Sequence, residues 1–488
     1  MKRPLAAALA ALILTACAVG PDYSRPDVDT PQAWRFEEKD AGASVNARWW
    51  EQFGDPVLNE MIETALKDNK DLLIAAARIE EYRGRYMATR GNLFPQAGAG
   101  AAAARQRATQ EGITGWQPGL SPEYSTYQAD LNASWEIDLW GKLRRATEAA
   151  RADLLAKEES RRAVLLSLAA TVAGSYIDLR DLDRQLEIAR RTVETRKESL
   201  DLFNMRFAGG VVSELELSQV KSEYESARAA IPKIEKTIYQ GENALNFLLG
   251  RNPGPVKRGR SINELVVPEV PAGLPSDVLE RRPDIRQAEQ DLIAANARIG
   301  VARAAYFPSI SLTGMFGSIS TDLSNLFTGP AQAWNFGGTI TMPIFMAGRL
   351  YGQEKATEAI QEQALIRYRQ SVQEAFREVE DNLVDQRKTR EIMEAQAAQV
   401  EALRSYRDLA RLRYENGYSS YLEVLDADRN LFNMELTYVQ TKGTLFRAMV
   451  NLYKSMGGGW EVEALEPSAT PSGQAYRENR DSEPEEGH

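Results

Sequence analysis

The chain has 488 residues, a formal net charge of -10 and a charged fraction of 26%, with no strongly basic stripe of the kind a nucleic-acid partner requires. Its one histidine is the last residue, His488, and its one cysteine is Cys17, which excludes imidazole catalysis, most zinc sites and any disulfide framework. Carboxylates are plentiful, but they form no recognisable acid/base or metal constellation, and no P-loop or G-x-G-x-x-G fingerprint occurs, so neither enzyme activity nor a cofactor is expected.

The chain opens with MKRPLAAALAALILTACAVG. Lys2 and Arg3 precede an apolar run, Leu5 to Leu14, that is too short to be a stable spanning helix, so residues 1–16 read as a secretory signal. Leu14-Thr15-Ala16-Cys17 resembles the bacterial lipoprotein box, which implies that Cys17 is lipidated and begins the mature chain. Ala18 follows where inner-membrane lipoproteins carry Asp, and the resemblance therefore implies the outer membrane. No later stretch of about 18 apolar residues exists, so any membrane crossing is expected to be β.

A helix is predicted over 57–93, ending at Phe94-Pro95, followed by an extended, Gly-rich region over 96–139. Within it, residues 128–139 alternate. Leu131, Ala133, Trp135, Ile137 and Leu139 fall on one side, and Asp130, Asn132, Ser134, Glu136 and Asp138 on the other. QAGAGAAAARQ, the first strand of the region, alternates least. KLRR at 142–145 is expected at the periplasmic lipid interface.

The helix from Gly141 to Arg206 covers 66 residues, roughly 100 Å. Leu179, Leu182, Leu186, Ala189, Val193, Arg196, Leu200, Phe203 and Phe207 recur at 3,4 spacing, a coiled-coil seam that only Arg196 interrupts. A turn containing Gly210 follows. Ser213 and Glu216 then read as a capping box opening a helix over 213–249.

From residue 275 the same order returns. Gly141 and Gly348, Gly210 and Gly417, Leu215 and Leu422, and Gly250 and Gly457 are each 207 positions apart, whereas Phe94-Pro95 and Phe307-Pro308 are 213 apart. The second copy predicts a helix over 275–306, an extended region over 309–345, a helix from 348 to 413, a capping box at Ser420 and Glu423, and a helix over 420–456. In its second strand Trp334, Phe336, Ile340, Met342 and Ile344 oppose Asn335, Thr339 and Thr341. The helices that start at the two turns are about half as long as their partners, which predicts two stacked shorter helices flanking each long one. Both turns become tips of helical hairpins.

Apolar-out and polar-in alternation is the pattern of a transmembrane barrel with a wet lumen. Four strands cannot close such a barrel, and an open edge in lipid is forbidden. Several chains must share it, and a trimer supplies twelve strands. The expected domains are a signal peptide (1–16), a lipidated N-terminal segment (17–56), repeat 1 (57–250), an equatorial connector (251–274), repeat 2 (275–457), and a C-terminal equatorial segment with a disordered tail (458–488).

CAVGPDYSRP at 17–26, RRPDIRQAE at 281–289, YFPSISLTG at 306–314, RYENGYSSYLEVLDADR at 413–429 and NLYKSMGGGW at 451–460 are together highly specific. On them the mature chain resembles the TolC-type outer membrane factors, in the OprM-like lipoprotein branch of RND drug-efflux systems. The resemblance implies a mixed α and β fold, a homotrimeric 12-stranded β-barrel in outer membrane lipids continued by an α-helical coiled-coil periplasmic tunnel. It implies a passive exit duct working with a periplasmic adaptor and an inner-membrane RND-type transporter. It also implies a periplasmic gate at Leu422, Asp426 and Arg429, and adaptor contact at the tips, Gly210, Val211, Ser213, Gly417, Tyr418 and Ser420. The alternatives are the duct of a type I secretion or oligosaccharide-export system and, in another class, a coiled-coil lipoprotein without a pore.

Overall fold

The computed structural model describes residues 18–35, 48–109, 121–268 and 275–458; the expected signal segment, the lipid-attachment candidate Cys17 and the tail beyond 458 lie outside them. Two units are distinguished: Met1–Asp27, Ala77–Glu158 and Gln287–Gln370 form the first, and Val28–Ala76, Glu159–Arg286 and Ser371–His488 the second.

The first unit contains a four-stranded antiparallel sheet in the order β1 (Gln96–Arg107), β2 (Glu123–Ile137), β3 (Ser309–Ser320), β4 (Gln332–Thr341). Its register turns the alternation of single strands into two continuous faces. One row runs Ala99, Leu131, Phe316, Trp334; the next runs Ala97, Ala133, Gly314, Phe336; a third joins Ile137, Ile310 and Ile340. The opposite face carries Asp130, Asn132, Asn335, Glu136 and Thr339. Trp334 and Phe336 are 68% and 71% exposed in the single chain, so the sheet's apolar face has no cover of its own.

β1 pairs with β2 along its full 12 residues despite its Ala-Gly composition. Backbone bonding needs no side chain, and the neighbouring strand leaves little room for one: a Cβ at Gly98 would lie 2.9 Å from the Asn132 amide oxygen. β4 ends at Thr341, short of the expected 345: the register would next set Met342 opposite Pro308, and neither Pro308 nor Pro343 has an N–H to continue the ladder. Met342 and Ile344 therefore lie beyond the strand. The KLRR basic groups are answered from within the chain: Lys142 pairs with Glu136, Arg144 with Asp138, and Arg145 with Asp22 and Glu148.

The expected helix over 57–93 is two helices, α1 (Pro56–Asp68) and α2 (Lys70–Gly91). Asn69 breaks it by taking an extended ψ of 131°, accepting from the Leu72 N–H and donating to the Leu248 carbonyl at 2.9 Å. The second copy breaks 213 positions later, at Arg282, between α5 (Pro275–Arg281) and α6 (Pro283–Ala304). Here Pro283 disfavours the helical conformation of the preceding residue, and the Arg282 guanidinium binds Asp284, Glu378 and the Ser455 carbonyl.

The hairpins are α3 (Lys142–Ala208) with α4 (Glu214–Leu248), and α7 (Arg349–Glu415) with α8 (Tyr421–Ser455). Along the predicted seam Leu179, Ala189, Arg196 and Phe203 are buried, Leu182, Leu186, Val193 and Leu200 half-buried, and Phe207 exposed near the tip. One window of α3 is apolar enough by length and composition to cross a membrane, with mean hydropathy 1.3, contrary to the expectation that none exists. Half of it is buried inside the chain, as the core face of a packed helix requires: Val172, Ala173, Tyr176 and Ile177 are fully covered.

Candidate gate at the hairpin tips

Both tips are closed by the same backbone device. Gly210 and Gly417 take φ of 72° and 76°, the left-handed region that glycine enters without a Cβ penalty. The Val211 N–H reaches the Arg206 carbonyl and the Gly210 N–H that of Phe207; Tyr418 to Arg413 and Gly417 to Tyr414 repeat the pattern. These are Schellman closures, which satisfy the last carbonyls of a helix. They leave Val211 and Tyr418 at the apex, 75% and 79% exposed.

The entry to the next helix differs between the copies. Ser213 caps α4 in a complete capping box: its hydroxyl accepts from Glu216 N–H, and the Glu216 carboxylate accepts from Ser213 N–H at 2.8 Å. The Ser213 N–H and hydroxyl, both donating to that carboxylate, hold it below its ordinary value. Ser420, expected to do the same, is the N-cap of α8 but makes no side-chain cap hydrogen bond. The Glu423 carboxylate lies instead 3.7 Å from Arg413.

Below the tips lies a small core of Phe203, Val220, Ala410, Tyr421, Val424 and Ala427. Tyr421 packs on Phe203 and Tyr414 with centroids 4.3 and 4.9 Å apart, and Arg206 donates to the Tyr414 hydroxyl at 2.7 Å. These contacts tie the two hairpins together.

Leu422, Asp426 and Arg429 fall on the outward side of α8, where Leu422 is 57% exposed. Arg429 donates to one oxygen of Asp426 at 2.6 Å and Asn430 to the other at 3.0 Å. In the single chain this is an exposed i,i+3 pair, worth about 0–1 kcal/mol. The three residues line an open cleft of about 510 Å³ together with Gln219, Ser222 and Glu223 of α4 and Tyr406 of α7. Gln219 and Ser222 are the positions 207 before Asp426 and Arg429, so equivalent sites of the two copies share one cleft, with uncharged side chains where the second copy carries an ion pair.

Sequence reasoning missed the charged layers beneath. Buried Glu435 of α8 receives Arg191 of α3 at 2.7 Å and Arg404 of α7 at 3.0 Å. Arg196 of α3 lies 3.0 Å from the Glu223 carboxylate. Only Arg196 left a signal, as the interruption in an apolar seam. Among the described residues no group of three or more His, Cys, Asp or Glu side chains is arranged to hold a metal ion.

Residues 61–251 and 274–458 match the family model for outer membrane efflux proteins. The chain is 36% identical over 467 residues to the probable efflux pump outer membrane protein TtgC of Pseudomonas putida, covering 94% of this chain and 96% of that one. It is 36% identical over 460 residues to the cation efflux system protein CusC of Escherichia coli O6:H1, covering 92% and 97%. Among solved structures, the Campylobacter jejuni CmeC outer membrane channel superposes with a TM-score of 0.87 at 26% identity, covering 95% of this chain and 98% of that one. The open state of the Neisseria gonorrhoeae MtrE outer membrane channel gives 0.82 at 33%, covering 91% and 99%.

Proposed function

Since the chain belongs to the outer membrane efflux protein family, we propose that it is the outer membrane exit duct of a tripartite efflux pump, passively carrying small molecules out of the cell. The observation that carries this reading is the sheet: four strands with one face largely apolar and the other largely polar. Four strands leave two edges, which lipid does not tolerate. Three chains remove them by closing twelve strands around a wet lumen, and the helical hairpins of the three enclose the periplasmic passage. Repeat 1 (57–250) and repeat 2 (275–457) build that passage, with 251–274 as connector. Cys17 is the lipid attachment.

Energy for export comes from a partner, an inner-membrane RND-type transporter, joined through a periplasmic adaptor that meets the tips at Gly210, Val211, Ser213, Gly417, Tyr418 and Ser420. Organic compounds and metal cations both belong to the cargo range, since relatives are named as a toluene efflux pump component and a cation efflux protein. Leu422, Asp426 and Arg429 form the periplasmic gate, with Leu422 as the apolar plug. Three Asp426 carboxylates converging on an axis repel one another, and each brings Arg429 as its counter-charge. Conductance in planar bilayers tests the duct and the gate together. Wild-type protein should show a low resting conductance, and Asp426→Ala with Arg429→Ala should raise it and sensitise cells to vancomycin at normal trimer yield. A double mutant that stays shut would place the gate elsewhere; protein that never conducts would refute the duct.

A further inference from the structure

Arg196 interrupts the apolar seam of α3, yet its side chain is only 8% exposed. One terminal nitrogen donates to the Glu223 backbone carbonyl at 2.6 Å and lies 3.0 Å from the Glu223 carboxylate. The guanidinium sits over the Phe432 ring, 5.3 Å from its centroid. Its other two nitrogens make no hydrogen bond to the chain. Arg196 also borders a cavity of about 10 Å³, shared with Tyr421, Leu425 and Asp428.

Asp428 is the third charge of this cluster. Burial pushes its carboxyl upward, and Arg196 is the first of the cations that pull it back, ahead of Arg407 and Arg411. Each of the three groups occupies a seam position of its own helix. Arg196 falls between Val193 and Leu200, Glu223 between Val220 and Ala227, and Asp428 between Val424 and Leu431. Three helices therefore bring one charge each to a single buried layer.

We propose that Arg196 is a positioning residue for the gate, the centre of a charged layer that fixes the height of α8 against α3 and α4. An apolar seam resists sliding weakly, because the next apolar residue replaces the last at little cost; a buried polar position specifies the register. Here a slip of one turn, about 5.4 Å, would set Val424 or Leu431 opposite the guanidinium. It would also draw Glu435 away from Arg191 and Arg404, which both bind it in the present register. Asp428 faces inward, while Asp426 and Arg429 on either side of it face the cleft. Fixing the inner face of α8 consequently fixes where Leu422, Asp426 and Arg429 stand.

This inference rests on the gate reading above, so the test runs both in parallel. Arg196→Met, Arg196→Lys, Asp428→Asn and the Asp426→Ala with Arg429→Ala double mutant are purified as oligomers, and resting conductance is recorded in planar bilayers. Arg196→Met should raise resting open probability about tenfold, equivalent to a shift of about 1.4 kcal/mol. Arg196→Lys keeps the charge in the layer and should return most of the closure. Asp428→Asn should shift conductance in the same direction by less. If the gate double mutant opens while Arg196→Met and Asp428→Asn conduct like wild type, the positioning role is wrong. It is equally wrong if Arg196→Met only lowers thermal stability, or if lysine fails to restore closure. Should Arg196→Met yield no oligomer, Asp428→Asn decides, since it preserves shape and hydrogen-bonding capacity; wild-type conductance in it overturns the proposal. A double mutant that remains shut refutes the gate reading, and the inference falls with it.

Discussion

Arginine placed at two adjacent positions of β4 separates the two faces of the sheet. Phe336 sits in the row Ala97, Ala133, Gly314, Phe336, and Asn335 in the row Gly98, Asn132, Met315, Asn335. If the first row meets lipid, Phe336→Arg puts a charge into the bilayer at about 2–4 kcal/mol near the midplane. It also forfeits the burial of a phenyl ring, about 1.5–3 kcal/mol. The sum is about 4–7 kcal/mol per chain, and three chains share one barrel. Against a net folding stability of about 5–15 kcal/mol, that is enough to prevent insertion. Asn335→Arg points the same charge into water and should cost almost nothing. The assay is the yield of heat-modifiable oligomer in outer membrane fractions at matched expression. Equal yields from the two variants, or a failure confined to Asn335→Arg, would refute the assignment of faces.

Two further outcomes are expected. Burial pushes the Asp181 carboxyl up to about 6, with Gln185 opposing. Because the folded value lies above the ordinary carboxylate value of 3.8, its contribution to stability is fully present below about pH 4 and is lost as pH rises through about 6. Asp181→Asn, which can still accept from Gln185, should therefore stabilise the protein at pH 7–8 by on the order of 2 kcal/mol and flatten the pH dependence of thermal unfolding between 4 and 7; an unchanged profile would contradict the assignment. Cys17→Ser should abolish palmitate incorporation while the barrel still inserts, because the strands carry their own apolar face; label on the serine variant would show that lipid is attached elsewhere.

What could be read in advance depended on whether the deciding interaction was local. β2 and β4 were legible because one apolar residue in two declares a strand with two environments. β1 was read as a strand on the weakest alternation, since alanine and glycine carry little such contrast, and its pairing with β2 bears that reading out. The break at Arg282 had a local signal in Pro283. The break at Asn69 had none, since it is held partly by the Leu248 carbonyl, 179 positions away. The Ser420 box failed for the same reason. Ser420 is the N-cap as read, but Glu423 sits beside Arg413 of the preceding helix and not on the Ser420 N–H. Arg196 was visible as an exception, while its partners Glu223 and Asp428 come from two other helices.

In the gate proposed above, the two copies of the tip differ in what they contribute. Both copies keep the elements that closing a hairpin demands: a left-handed glycine, a Schellman closure and a serine at the next N-cap. They part where the backbone makes no demand. Leu215 and Leu422 are equivalent and both exposed, so each copy carries a leucine at the position proposed as the plug. Gln219 and Ser222 in the first copy stand where Asp426 and Arg429 stand in the second, across the same cleft. Charging both copies would set six carboxylates around one axis, and mutual repulsion would oppose closure. Charging these positions in only one copy halves that number. In the proposed gate, the first tip supplies the surface against which the second closes.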